Sequence, residues 1–175
     1  MNPFAFFEIV PAFQIDNQVL RKAFLANQRK WHPDLHAGNP EMYNLAMEKT
    51  AANNEAYAIL TDTYSRLKHL LAIHQIDVEK IEVLPPEFLM EMMDLSDVIE
   101  DSQTGNLKTT QQAEEILESY FRENERSLTA LSVEADNAAV NQGYGRETLL
   151  KAAALYQQHR YLRRLRKNLS GIKEL

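Results

Sequence analysis

At Lys30-Trp31-His32-Pro33-Asp34 the chain sets an imidazole, a rigid ring and a carboxylate together, directly after the basic pair Arg29 and Lys30. An imidazole beside a carboxylate is the pair that general acid–base catalysis uses. That chemistry also needs a nucleophile, a phosphate-cradling loop or a metal, and no such motif accompanies the trio here. The five histidines lack ligand spacing, and zero cysteines leave no thiolate for a metal, a disulfide or an iron–sulfur cluster. No metal and no cofactor is therefore expected. Beside that catalytic use, two others are open to His32, Pro33 and Asp34. They close the turn between two helices, or they form a stiff polar tip that touches another molecule.

A second constellation lies between Phe88 and Asp101. On a helical wheel with Phe88 at the origin, Met92, Leu95 and Ile99 fall within about 40° of it, a sufficient core stripe. Leu89, Met90, Met93, Asp94, Asp97, Glu100 and Asp101 fall between about 100° and 240°. The side away from the core thus carries three large apolar residues ringed by acids. Either the helix is buried on two sides, or its hydrophobes are scattered on the surface, or this is a partner site with an apolar anchor and a charged rim. Methionine adapts well to such a surface.

Helices must position both constellations. Asp16 is placed to cap a helix over about Asn17–Trp31, with Leu20, Phe24 and Trp31 on one stripe, Asn27 inside it, and Lys22, Arg29 and Lys30 roughly opposite. The residue before a proline is pushed out of the helical region, so the break falls at His32. After a loop, Asn39-Pro40-Glu41 reads as a helix start. That helix runs to about Leu60, with Leu45, Ala52, Ala56 and Leu60 expected inside. The two helices predict an antiparallel hairpin. A helix over about Thr63–His74 follows. Residues 76–86 read as a joint ending in Pro85-Pro86. Three further helices are predicted over about Pro86–Asp101, Thr109–Ala135 (Thr109 and Gln112 as a capping box) and Arg146–Leu169. In the last, Leu155, Leu162 and Leu169 recur every seven residues. The expected fold is all-α: a helical hairpin with flanking helices, then a three-helix bundle.

Composition excludes several classes. No apolar run reaches membrane-spanning length, and the first thirty residues lack a signal-peptide layout. A cytoplasmic protein with no membrane partner is expected. The net charge of −6 is carried by residues 76–110, which hold two basic and nine acidic side chains. Nucleic acid would attract the opposite sign. The basic run Arg160, Arg163, Arg164, Arg166, Lys167 reads as a solvated face or as partners for acids on the preceding helix.

His32-Pro33-Asp34 after a basic helix resembles the signature of J-domains. The Phe-rich opening at its spacing, Tyr57 and Leu60 at the end of the third helix and Arg66 in the fourth extend the likeness over roughly residues 3–75. Asn27 and Asn53 stand where many J-domains are apolar, and Thr63 where proline is frequent. The second half lacks a Gly/Phe-rich linker and a zinc module. Phe88-Leu89-Met90-Glu91 with its acidic helix, Arg66, Leu70-Leu71, His74 and Arg160-Tyr161-Leu162 resemble the HscB-type J-domain co-chaperones of iron–sulfur cluster assembly. The resemblance implies a J-domain over 1–75, a joint over 76–86 and a scaffold-binding domain over 87–175. It implies no enzyme. The implied partners are a dedicated DnaK-type (HscA-like) ATPase chaperone, triggered by His32, Pro33 and Asp34 with Lys22, Arg29 and Lys30 lining the docking face, and an iron–sulfur scaffold protein (IscU-like). The scaffold would be held by Leu89, Met90, Met93, Asp94, Asp97, Asp101 and Tyr161, the last where relatives often have Phe. A J-protein with another client, or a helical enzyme using His32 and Asp34, are the rival expectations.

Overall fold

The computed structural model describes residues 1–80, 84–102 and 107–173. All regular structure among them is helical: α1 (Pro3–Phe6), α2 (Asn17–Lys30), a 3₁₀ turn (Pro33–His36), α3 (Pro40–Thr61), α4 (Thr63–Ile73), α5 (Pro86–Ser102), α6 (Leu107–Gln142) and α7 (Arg146–Lys173). The chain divides into two compact units, Met1–His74 and Gln75–Leu175.

In the first unit, side-chain caps set most helix starts. Asn2 accepts from the N–H groups of Phe4 and Ala5, Asp16 from Gln18 and Val19, and Asn39 from Glu41 and Met42 with Pro40 in the first turn. Asp62 ends α3 and starts α4, its carboxylate accepting from Ser65 N–H at 2.7 Å. Contacts between α2 and α3 pair Phe24 with Tyr57 and Trp31 with Thr50, so the two run antiparallel as expected. Phe4, Phe7, Phe13, Leu20, Ala56, Leu60, Leu67, Leu70 and Leu71 form the core.

The buried side of α3 is Ala46, Asn53, Ala56 and Leu60; Leu45 and Ala52 are only half-buried. Ala56 and Leu60 are buried as expected; in the first half of the helix the buried positions lie one residue further on, at Ala46 and Asn53, because a polar side chain occupies a core position. Asn53 is 1% exposed, and its amide donates to the Phe24 carbonyl at 3.2 Å. Arg66 is likewise buried: Nε donates to the Phe13 carbonyl at 2.9 Å and Nη1 to that of Leu60 at 2.5 Å. It thereby ties α4 to the end of α3 and to the segment before α2.

In the second unit, α5, α6 and α7 share a core of Phe88, Met92, Leu95, Ile99, Ala113, Leu117, Leu162, Leu165 and Leu169. The four α5 residues are those of the expected stripe. The ends of α6 differ from the expectation. It begins at Leu107, so Thr109 lies inside the helix and does not cap it. It also passes Ala135 to Gln142, because Ala138 and Ala139 resume helix-favouring sequence and Tyr144 Oη donates to Asp136 at 2.5 Å. Gly143, at φ 71°, is the residue free to leave the helix. Helix α7 continues past Leu169 to Lys173, with Leu155 only half-buried. Residues Gln75–Lys80 are packed: Ile76 and Val78 are buried, Gln157 donates to the Val78 carbonyl, and Arg160 pairs with Glu79 at 2.6 Å.

Candidate functional sites

The tip follows from two backbone restrictions. Trp31 ends α2, and Pro33 holds His32 extended at φ −66°, ψ 124°. Pro33 then opens the 3₁₀ turn with its φ already set. His32 caps that turn: its Nδ1 accepts from Asp34 N–H at 3.3 Å. Nδ1 is the accepting nitrogen in this contact, which leaves Nε2 to carry the proton of the neutral ring. The Asp34 carboxylate lies 3.7 Å from Nδ1, with side-chain exposures of 57% for His32 and 88% for Asp34. An imidazole and a carboxylate this exposed are accessible to other molecules.

Lys22, Arg29 and Lys30 are all exposed on α2. Lys22 and Arg29 are seven residues apart and share a face. Lys30 leans over the Trp31 ring, Nζ to centroid 5.1 Å. The structure thus brings Lys30 to the tip. Lys22 stands about 12 Å away along the helix axis.

On α5 the core stripe forces its neighbours outward. Leu89, Met90 and Met93 are 39%, 62% and 65% exposed, and Asp94, Asp97, Glu100 and Asp101 are exposed around them. Burial on two sides is therefore ruled out for this helix. Tyr161 on α7 is half-buried, its ring edge-on to Phe88 at 6.1 Å with Arg164 stacked over it at 4.4 Å. On α6, Tyr120 hydrogen-bonds Glu91; burial first, then Glu91 and Asp94, hold its hydroxyl above the usual tyrosine range. The basic run divides. Arg166 pairs with Glu118 of α6, and Arg160 with Glu79. The expected pairing with α6 acids holds for Arg166.

Sequence reading missed the residues that hold these sites. Thr50 Oγ1 donates to the Trp31 carbonyl at 2.9 Å, and His36 Nε2 meets the Lys30 carbonyl at 3.1 Å. Neither spacing nor residue type marks them. Among the described residues, no group of three or more His, Cys, Asp or Glu is arranged to hold a metal ion, and no helix is long and apolar enough to cross a membrane.

Residues 84–170 match the family model described as the HSCB C-terminal oligomerisation domain. Along nearly its whole length the chain is 32% identical to a co-chaperone protein HscB homolog of Shewanella sp. (strain W3-18-1), covering 99% of this chain and 98% of that one. The chain belongs to the HscB family of co-chaperones. A second HscB homolog, of Shewanella frigidimarina, is 32% identical over 75% of this chain and 77% of its own. The fold agrees. Chaperone HscB from Vibrio cholerae superposes with a TM-score of 0.69 at 24% identity, covering 99% of this chain and 98% of that one. The human co-chaperone HscB superposes at 0.74 and 19% identity, covering 99% and 82%. The all-α layout of an N-terminal J-domain followed by a C-terminal helical bundle is the HscB layout. As an HscB co-chaperone the chain acts together with a chaperone-type partner.

Proposed function

We propose that this co-chaperone binds an iron–sulfur scaffold protein through α5, hands it to a dedicated DnaK-type (HscA-like) ATPase, and stimulates that ATPase through its tip. Residues 1–75 are the J-domain, 76–86 the joint and 87–175 the scaffold-binding domain. The chain does no chemistry of its own and works in the cytoplasm. The observation that carries the reading is the exposed trio Leu89, Met90 and Met93 inside a ring of carboxylates. A stable helix has no internal use for large apolar side chains kept in water. Burying each contributes roughly 1.5–3 kcal/mol, so the trio supports a micromolar contact after association costs. Asp94, Asp97 and Asp101 then select a client with a basic rim, and Tyr161 extends the apolar surface onto α7.

At the other site Lys22, Arg29 and Lys30 steer an acidic face of the ATPase and set its orientation. His32, Pro33 and Asp34 stabilise its hydrolysis-prone conformation, a coupling between sites rather than catalysis by this chain. Carrying both sites on one chain raises the effective concentration of client at the ATPase. The decisive experiment is ATP turnover by the DnaK-type partner with its scaffold (IscU-like), adding the wild-type chain or His32→Gln. Faster hydrolysis, faster still with scaffold and lost in the variant, supports both halves. An unchanged rate with the wild-type chain folded defeats the trigger reading.

A further inference from the structure

We propose that Thr50 and His36 are positioning residues that hold the His32-Pro33-Asp34 tip and Lys30 in one geometry; the proposal rests on the trigger role assigned to that tip. The last carbonyls of a helix have no partner within it. In α2 two of them are taken by side chains from outside the helix: Trp31 O by Thr50 and Lys30 O by His36. A carbonyl only accepts, so His36 Nε2 carries the proton in this contact.

Thr50 departs from the local habit of helical hydroxyls. Thr61, Ser96, Thr129, Ser132 and Ser170 each donate to the carbonyl four residues back in their own helix. Thr50 leaves that local bond and reaches nineteen residues back to the residue before the tip. His36 closes the other side. Its ring lies 5.9 Å from that of Trp31, the same ring over which Lys30 Nζ sits. Both braces converge on Lys30 and Trp31, and both bracket the three tip residues. Neither Thr50 nor His36 is part of the core; both are half-buried. Their contacts do more to fix the tip than to hold up the unit.

A loosened tip spends less time in its docking geometry. The apparent affinity falls by that fraction, while the rate at saturation is kept. The test titrates the DnaK-type partner's ATPase with the wild-type chain, Thr50→Val, Thr50→Ser, His36→Ala and His36→Gln, each checked for helicity by circular dichroism and for scaffold binding. Thr50→Val and His36→Ala are expected to raise the half-stimulating concentration about three- to tenfold, the worth of one hydrogen bond, with the maximal rate and scaffold binding retained. Thr50→Ser and His36→Gln, which keep a donor, are expected to restore most of the loss. Amide exchange in Thr50→Val should quicken at residues 32–39 and not in α4. Valine and alanine variants that titrate like the wild type overturn the proposal, as does a serine variant no better than valine. A wild-type chain that leaves the ATPase unchanged overturns the trigger reading, and the positioning role with it.

Discussion

Met92 and Met93 are neighbours in the chain, and the turn of about 100° per residue in α5 separates them: Met92 is 0% exposed in the bundle core and Met93 is 65% exposed. Their alanine variants should therefore fail differently. Met92→Ala leaves a cavity and costs about 2–5 kcal/mol, visible as a lower unfolding midpoint. Leu89→Ala/Met93→Ala removes less buried area, with Leu89 39% and Met93 65% exposed, and should lower the midpoint by less than Met92→Ala does. It should weaken scaffold binding by at least about tenfold, measured by calorimetry. Equal scaffold affinity for the double variant and the wild type would show that the client sits elsewhere.

Asn53 offers a gain in stability. Its amide donates to the Phe24 carbonyl, but its Oδ1 is buried without a hydrogen-bond partner. An unsatisfied buried acceptor costs about 1–3 kcal/mol, while the one bond made contributes about 0.5–1.5 kcal/mol. Asn53→Leu has a similar volume and should raise stability by about 1 kcal/mol in denaturant unfolding. A lower midpoint would mean that the amide fixes the register of α2 on α3 and outweighs its own desolvation.

What the sequence made legible follows from the range of each interaction. The α5 stripe emerged from periodicity because four large apolar residues recur at helical spacing and all four are buried. The break at His32 emerged because a proline constrains its predecessor whatever the fold. On α3 Ala56 and Leu60 were legible, while Leu45 and Ala52 give way to Ala46 and Asn53, since nothing local says that Asn53 packs inside. The ends of α6 were misplaced because Thr109/Gln112 is a local start signal that the helix overrides, and because the bond from Tyr144 to Asp136 beyond Ala135 exists only in the folded chain. Thr50 and His36 stayed invisible because their worth lies in contacts to α2 carbonyls that exist only once the hairpin has closed.

Arg66 should be the most sensitive polar position of the first unit. Its guanidinium serves the Phe13 and Leu60 carbonyls from a site only 8% exposed. Arg66→Met keeps the apolar stem and abandons both acceptors, at a cost of about 2–4 kcal/mol. Arg66→Lys should recover little, because an ammonium cannot span two carbonyls as a planar fork does. Thermal unfolding followed by hydrogen exchange should show the loss within residues 1–74. Scaffold binding should persist at temperatures where the first unit is lost and the second is still folded. A wild-type midpoint for Arg66→Met would show that the two carbonyls find other donors.

Tyr120 gives the α5–α6 contact a pH dependence of definite sign. Burial, then the carboxylates of Glu91 and Asp94, place its hydroxyl above 10.0 in the folded chain. The folded state therefore holds this proton more tightly than the unfolded chain, whose tyrosines titrate near about 10. The associated stability is complete below that unfolded value and is lost as pH rises through the folded one. Above pH 10 the wild type should lose stability more steeply than Tyr120→Phe. The difference between their ultraviolet tyrosine titrations should have a midpoint above 10. Glu91→Gln removes one of the two charges and should draw that midpoint down towards 10. A difference curve centred at or below 10 would mean that in solution Tyr120 is neither buried nor beside Glu91. Glu91 would then stand in the acid rim as free as Asp97.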